Sequence, residues 1–323
     1  MTKKILITGG AGYIGSHIAE LMIKRKNKVY IIDDLSTGYK RLLHKKSKFF
    51  KLNINNKAKV TSILNKYKID SIIHLAGNLI ISEGEQNPKK YYKNNVLGTK
   101  NLMEAILNTK VKNFLFSSTA AVYKDGIYKV TEKSKVKPKS VYGKTKLKAE
   151  KIIINFCKSN KINYGILRYF NIVGSSSSGK IGLINKSDHL FKNFSRQALR
   201  KKPKFKIYGT DYPTQDGSCV RDFIHVSDIA EIHSKILKKI NETNKSKILN
   251  CGYSKGITVK QVAHEFAKQS NKNFKIVNKD RRKGDLVKII AITKSLNSFI
   301  KWKPKYNKLN KMVQSSLTWE KKL

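Results

Sequence analysis

Through the first half of the chain, short apolar runs alternate with longer segments of helical period. The runs KILITG (4–9), KVYIID (28–33), SKFFKLNI (47–54), SIIHLAG (71–77), NFLFSS (113–118) and NYGILRYF (163–170) each read as a strand. Segments of helical period lie between most of them, at 13–26, 56–67, 88–109 and 141–159. Strands that are continuously apolar, rather than alternating, belong to a sheet covered on both faces. Strand–helix alternation supplies the crossovers that parallel strands need. The pattern predicts an α/β fold built on a doubly wound parallel sheet.

After Phe170 the rhythm breaks. The stretch GSSSSGK (174–180) reads as a flexible loop, followed by a helix near 188–200, a strand at 204–209 and a turn-rich segment at 210–222. A helix at 226–240 and a strand at 246–252 look like a return to the sheet. The expected division is therefore a nucleotide-binding domain of residues 1–170 plus about 226–252. A smaller C-terminal α/β lobe for substrate would take 171–225 plus 253–323. No internal repeat is visible.

Composition changes this picture little. A net charge of +47 first suggests a nucleic-acid or anionic-membrane partner. Yet 60 of the basic residues are lysine and only 8 are arginine, the residue favoured for bidentate phosphate recognition and base readout. The lysines are scattered, and asparagine and isoleucine are abundant with them, which is the signature of a genome rich in A and T. No specific nucleic-acid partner is expected. Cys157, Cys219 and Cys251 are widely spaced and match no metal-ligand pattern, so neither a disulfide framework nor a metal is expected. An apolar strand begins within four residues of Met1, and no apolar run approaches the length of a membrane span, so a soluble cytoplasmic protein is expected.

Two stretches carry chemistry. ITGGAGYIGSH (7–17) follows the first strand and opens the first helix, with Gly9, Gly12 and Gly15 at three-residue spacing. Glycine lets a diphosphate touch bare backbone, and the helix N-terminus adds unpaired N–H groups. The second strand ends in Asp33 and Asp34, acids placed to accept from a ribose diol and to repel a 2′-phosphate, which favours NAD over NADP. The second stretch joins a strand ending in Ser117, Ser118 and Thr119 to a helix that begins VYGKTK. Tyr142 and Lys146 lie one turn apart on one face of that helix, and no other tyrosine in the chain has a lysine four positions on. Free tyrosine has a pKa of about 10, and a neighbouring ammonium favours the phenolate that a general base requires.

Together these motifs resemble the extended short-chain dehydrogenase/reductase superfamily, and the match narrows to the UDP-glucose (UDP-galactose) 4-epimerase family. GGAGYIGSH, HLAG, YYKNNVLGT, FSSTAAVY, VYGKTK, LRYFN, GTDYPTQDGSCVRDFIHV and RRKGDL stand in that family's order and spacing along essentially the whole chain. The resemblance implies a Rossmann fold, tightly held NAD, a UDP-sugar substrate and a homodimer. By position it implies Tyr142 as base, Lys146 as its partner and Thr119 as the hydroxyl that relays or orients the proton. Tyr13, Ile14, Asp33, Asn53, Ile54, Ala76, Gly77, Asn94 and Phe170 match cofactor contacts, with Tyr142 and Lys146 beside them. Asn171, His189, Lys206, Tyr208, Arg221, Arg282 and Ile289 match the substrate side, the two arginines meeting the diphosphate.

Two departures stand out. Asn53 replaces an aspartate that meets the adenine amine, which predicts weaker but not lost cofactor binding. Leu79 replaces a lysine common after HLAG. The implied reaction is reversible C4 epimerisation of a UDP-hexose. Ile289, at a position where strict UDP-glucose enzymes often carry tyrosine, leaves room for UDP-N-acetylglucosamine; a pentose substrate is a further alternative. Dehydratases and decarboxylases of the same fold typically place an acid just beyond the catalytic hydroxyl, where this chain has Ala120 and Ala121. A non-catalytic Rossmann-type binding protein would have a broken Tyr/Lys/hydroxyl set, and this set is intact.

Overall fold

The computed structural model describes residues 2–184, 189–282 and 285–323. The first half runs β1 (Lys4–Thr8), α1 (Tyr13–Lys24), β2 (Lys28–Asp33), β3 (Lys48–Lys51), α2 (Lys57–Tyr67), β4 (Ser71–His74), α3 (Ile81–Gln86), α4 (Pro88–Tyr91), a π-helical turn (Tyr92–Leu97), α5 (Gly98–Ala105), β5 (Asn113–Thr119), β6 (Lys129–Val130), α6 (Val141–Ser159) and β7 (Asn163–Tyr169). The second half runs β8 (Asn171–Val173), α7 (Leu190–Ala198), β9 (Lys204–Tyr208), β10 (Val220–His225), α8 (Val226–Thr243), β11 (Lys247–Cys251), β12 (Gly256–Thr258), α9 (Val259–Ser270), β13 (Lys275–Lys279), β14 (Lys288–Ala291), α10 (Lys294–Ile300) and α11 (Leu309–Glu320).

Seven strands form one parallel sheet in the order β11-β7-β5-β4-β1-β2-β3. The order reverses at β1, so the crevice at the carboxyl ends of β1 and β4 is the natural ligand site of a doubly wound sheet. One face is buried under α1 and α8 through Ile5, Ile7, Ile18, Met22, Ile229 and Ile236; the other is buried under α2, α5 and α6 through Leu6, Leu64, Leu102, Phe114 and Ile153. The six apolar runs of the sequence are the six strands of this sheet other than β11, and β11 does return to it beside β7.

A second sheet runs β12-β10-β14-β6, with β8 alongside β10; β9 pairs with β13 separately. Helices α7, α9 and α11 close over it around Phe191, Phe194, Phe205, Phe223 and Phe266. Helix α10 instead packs on α8 and β11, placing Leu296 and Ile300 in the core of the large sheet.

Three local expectations change. The segment 210–222 is not all turn: Val220 begins β10, the central strand of the second sheet, whose charged residues hide its strand character. The helix expected over 88–109 ends at Ala105 and is interrupted by the π turn. The serine run is anchored at its start, where buried Ser175 donates to the carbonyl of Ser315 at 2.7 Å. Asp188, the first residue of the helix expected at 188–200, lies outside the described residues.

Candidate active site

Loops at the carboxyl ends of β1, β2, β3, β4, β5 and β7 enclose one cavity of about 490 Å³. Its floor is the glycine turn. Gly9 has a φ of +72°, and a Cβ there would stand 2.7 Å from the Ala76 nitrogen; a Cβ on Gly15 would stand 2.3 Å from the Gly9 carbonyl. Gly12, the N-cap of α1, has no side-chain cap, and a Cβ there would meet only the Gly9 carbonyl at 3.2 Å. The turn thus offers a bare helix N-terminus to the cavity, and a diphosphate fits where no side chain stands. Tyr13 and Ile14 line the same wall, Tyr13 anchored through its hydroxyl to the Gly174 carbonyl at 2.6 Å.

Asp33 and Asp34 divide the work at the end of β2. Asp33 is buried and accepts from the Ala11 nitrogen at 3.0 Å and the Leu35 nitrogen at 2.9 Å, so it holds the glycine turn in shape. Burial raises its pKa, with those two N–H groups opposing. Asp34 accepts from the Ser36 backbone and hydroxyl and from Asn53 Nδ2 at 2.7 Å. The Asn53 carbonyl oxygen accepts from Asn55. Ile54, Ala76, Gly77 and Asn94 continue the lining toward the centre of the cavity.

Helix α6 brings in the tyrosine and lysine. Ser140 caps it, its hydroxyl accepting from the Gly143 nitrogen at 3.1 Å, and Glu85 of α3 accepts from the Val141 nitrogen at 2.8 Å. Tyr142 and Lys146 both line the cavity opposite Thr119 and Phe170. Of the three hydroxyls that end β5, Ser117 donates to the His74 carbonyl at 3.1 Å and Ser118 donates to Glu150. Thr119 accepts from the Ala121 nitrogen at 3.2 Å, and its hydroxyl is the group that favours the Tyr142 phenolate. The Lys146 ammonium sits 4.3 Å above the Phe116 ring.

Burial dominates the electrostatics of both Tyr142 and Lys146. Burial pushes the Tyr142 phenol up to about 12, with the Thr119 hydroxyl opposing. Burial also brings Lys146 down to about 7, with Glu150 opposing. Both shifts favour the neutral form, and a further positive charge in the cavity would favour the phenolate.

A buried polar network locks this geometry. The π turn sets Asn94 and Asn95 side by side: Asn94 Nδ2 donates to Asn78 at 2.6 Å, and Asn95 Oδ1 accepts from the Asn78 nitrogen at 2.8 Å. Asn95 Nδ2 also donates to Thr145 Oγ1 at 3.0 Å, and Thr145 donates to the Tyr142 carbonyl at 2.8 Å. Tyr169, which sequence reasoning passed over, lines the cavity as well. His233 Nδ1 donates to the Ile229 carbonyl at 2.8 Å, so its Nε2 accepts from the Tyr169 hydroxyl at 2.7 Å. That leaves the Tyr169 oxygen as an acceptor. The signal for it was its place at the carboxyl end of a central strand, next to Phe170.

Asn171 and His189 also line the cavity, and His189 is held through Nε2 on the Ile172 carbonyl at 2.8 Å. Lys206, Tyr208, Arg221, Arg282 and Ile289 lie outside the lining. Arg282 stacks 4.4 Å over the Tyr208 ring and pairs with Asp285 at 3.5 Å. Arg221 reaches the same carboxylate at 3.3 Å and donates to the Leu286 carbonyl at 2.7 Å. Lys206 is exposed on β9. Ile289 is buried on β14 against Phe170 and Ala120. Leu79 stands 64% exposed at the cavity rim. Among the described residues, no cluster of three His, Cys, Asp or Glu could hold a metal, and no helix is long and apolar enough to cross a membrane.

Residues 5–252 match the NAD dependent epimerase/dehydratase family. A UDP-glucose 4-epimerase of Lactobacillus helveticus is 36% identical over 322 residues, covering 98% of this chain and 97% of the relative. A crystal structure of a UDP-glucose 4-epimerase superposes with a TM-score of 0.95 at 31% identity, covering 99% of this chain and 98% of its own. The UDP-Glc/GlcNAc 4-epimerase of Campylobacter jejuni superposes with a TM-score of 0.86 at 36% identity, covering 99% and 100%. The chain belongs to the NAD dependent epimerase/dehydratase family and, within it, to the UDP-glucose 4-epimerases.

Proposed function

We propose that this protein epimerises a UDP-hexose reversibly at C4, interconverting UDP-glucose and UDP-galactose, with NAD held throughout the cycle. The observation that carries the proposal is the meeting of Tyr142, Lys146, Thr119 and the bare glycine turn in one cavity. Bound there, NAD would supply a reversible hydride acceptor for C4, so net redox would be zero. A positive charge in the cavity would favour the Tyr142 phenolate, whose pKa burial raises.

The chain's own residues handle binding and protons. Gly12 and the α1 N-terminus hold the dinucleotide's diphosphate, and Asp34 and Asn53 meet the adenosine end. Tyr142 takes the 4-hydroxyl proton, directly or through Thr119, and returns it after the 4-keto sugar has turned over. Asn94, Tyr169 and Phe170 orient the nicotinamide end. Asn171 and His189 meet the sugar nucleotide. Arg221 and Arg282 exchange Asp285 for the substrate's diphosphate, with Tyr208 and Lys206 beside them. In this reading residues 1–170 and about 226–252 carry the cofactor, while 171–225 and 253–323 carry the substrate. The protein works as a cytoplasmic homodimer.

A second sugar is favoured by Ile289. It backs Phe170 with an aliphatic side chain, and the 36%-identical Campylobacter jejuni structure is that of a UDP-Glc/GlcNAc 4-epimerase. UDP-N-acetylglucosamine is therefore a second substrate.

The test is to measure NAD in the purified protein and then to assay UDP-galactose and UDP-N-acetylgalactosamine. Tyr142→Phe should keep NAD and lose at least about a thousandfold in turnover. Near-normal turnover in that variant would remove Tyr142 as the base.

A further inference from the structure

Behind Lys146, on the side away from the cavity, lies a buried ion pair with no part in the reading above. Tyr142, Lys146 and Glu150 follow one another at four-residue steps along one face of α6. Glu150 is 1% exposed and Arg168 of β7 is 4% exposed. Arg168 grips the carboxylate with a fork, Nε on one oxygen at 3.0 Å and a terminal nitrogen on the other at 2.7 Å. Ser118, the residue before Thr119, donates to the same carboxylate. Arg168 also donates to the Tyr123 hydroxyl at 3.1 Å. A second buried ion pair, Lys192–Glu320, joins α7 to α11.

We propose that the Glu150–Arg168 pair is a positioning element for the reaction: Glu150 holds the Lys146 ammonium in its charged form, and Arg168 limits how strongly it does so. The proposal rests on the assignment of Tyr142 and Lys146 made above. Among the described residues, Glu150 is the one carboxylate whose charge is seen to act on Lys146. His74 of β4 is buried and neutral, Tyr91 of α4 and Tyr169 of β7 are kept protonated by burial, and Glu83 of α3 is spent on Lys90 at 2.6 Å. Glu85 of α3 caps the α6 backbone. Among the described residues, no ion pair includes Lys146. Burial draws the Lys146 proton off at about pH 7, and Glu150 is the group that opposes this. Breaking a buried pair leaves an uncompensated charge one helical turn away, in a medium that screens it poorly.

The sign of that leftover charge makes the test. Glu150→Gln strands the arginine, so Lys146 loses its proton more easily. The alkaline limb of the pH–activity profile of the NAD-loaded enzyme should then move down by about one pH unit or more. Arg168→Met strands the carboxylate, and the limb should move up by a similar amount. The double variant Glu150→Gln/Arg168→Met should return it to near the parent position, and Arg168→Lys, which keeps the charge, should leave it in place. A pair that only braces the fold would lower the melting temperature in every variant without moving the limb in opposite directions. If Glu150→Gln does not fold, Arg168→Met decides alone, an upward shift supporting the proposal and an unmoved or lowered limb overturning it. A parent enzyme that fails to epimerise UDP-galactose would sink the assignment of Tyr142 and Lys146 instead, so the two failures are distinguishable.

Discussion

Asn53 donates from Nδ2 to the Asp34 carboxylate at 2.7 Å, pairing an acid with an amide at the end of the cavity formed by β2 and β3. Burial works against Asp34, yet the hydrogen bonds from Ser36 and Asn53 keep it below the usual carboxylate range. Asn53, expected to weaken cofactor binding, also serves as a hydrogen-bond donor to its neighbour. An aspartate at 53 would set two carboxylates against each other.

Asn53→Asp alone should therefore weaken NAD binding about fivefold, near 1 kcal/mol for a partly exposed like-charge contact. Adding Asp34→Asn, which exchanges acid and amide, should recover most of the loss. Titration of apo-protein with NAD for the two single variants and the double variant gives the coupling directly. Additive effects would show that the contact carries nothing.

The glycine turn makes two different demands. At Gly15 a Cβ meets the Gly9 carbonyl at 2.3 Å and backbone must shift, so Gly15→Ala should cost about 2–3 kcal/mol of stability. Gly12 has φ −83° and ψ 174°, which alanine adopts readily, and its Cβ would meet protein only at 3.2 Å. Gly12→Ala should leave the melting temperature nearly unchanged while reducing NAD affinity at least about tenfold. Thermal melts with and without NAD separate the two.

Asn95 joins the π turn to α6, and truncating it strands the Asn78 nitrogen as well as Thr145. Asn95→Ala should cost about 2–3 kcal/mol, whereas Thr145→Val, which leaves Asn95 Nδ2 on the Asn78 carbonyl at 3.0 Å, should cost about 1 kcal/mol. Urea midpoints read the stability. A fall in kcat for Thr145→Val larger than its stability cost explains would show that the contact also orients Tyr142.

Acid should unfold the protein early. His17, His74, His225 and His233 are buried and neutral, their pKa values lowered by burial to about 4, 3, 3 and 4. In the unfolded chain each titrates near 6.5. Between those values the unfolded chain binds more protons, so stability rises with pH there. The contribution is complete above about 6.5 and is lost as pH falls toward 4, on the order of 1 kcal/mol per histidine per pH unit. Denaturation midpoints at pH 7.5, 6 and 5 should fall steeply across the lower pair; a flat profile would mean these histidines are charged in the fold.

The large sheet was legible because strands buried on both faces must be apolar throughout, and no other element demands that of six short runs. The glycine turn and the Tyr142–Lys146 step were legible because each is local: its residues lie within one turn of chain. What escaped depends on distance. Strand β10 carries Arg221, Asp222 and His225, and Asp222 finds its donors at Tyr253, Ser254 and Ala291, so nothing nearby in sequence shows why charges are tolerated in a central strand. Glu150 finds Arg168 eighteen residues away across a strand crossing. The π turn left no periodic mark, since its six residues are too few to shift an amphipathic pattern.

That π turn bears on any attempt to make this enzyme sturdier. Between Pro88 and Ala105 the chain would form a better helix if it were regular, and substitutions chosen for helix propensity would push it that way. Straightening the turn rotates everything on one side of it by about 100° for each residue of register removed. Asn94 and Asn95, adjacent in sequence and both bonded to Asn78, would then no longer address the same loop. The irregular segment acts as a register setting for the site, and a stabilised variant should keep Tyr92–Leu97 untouched while improving the helix on either side.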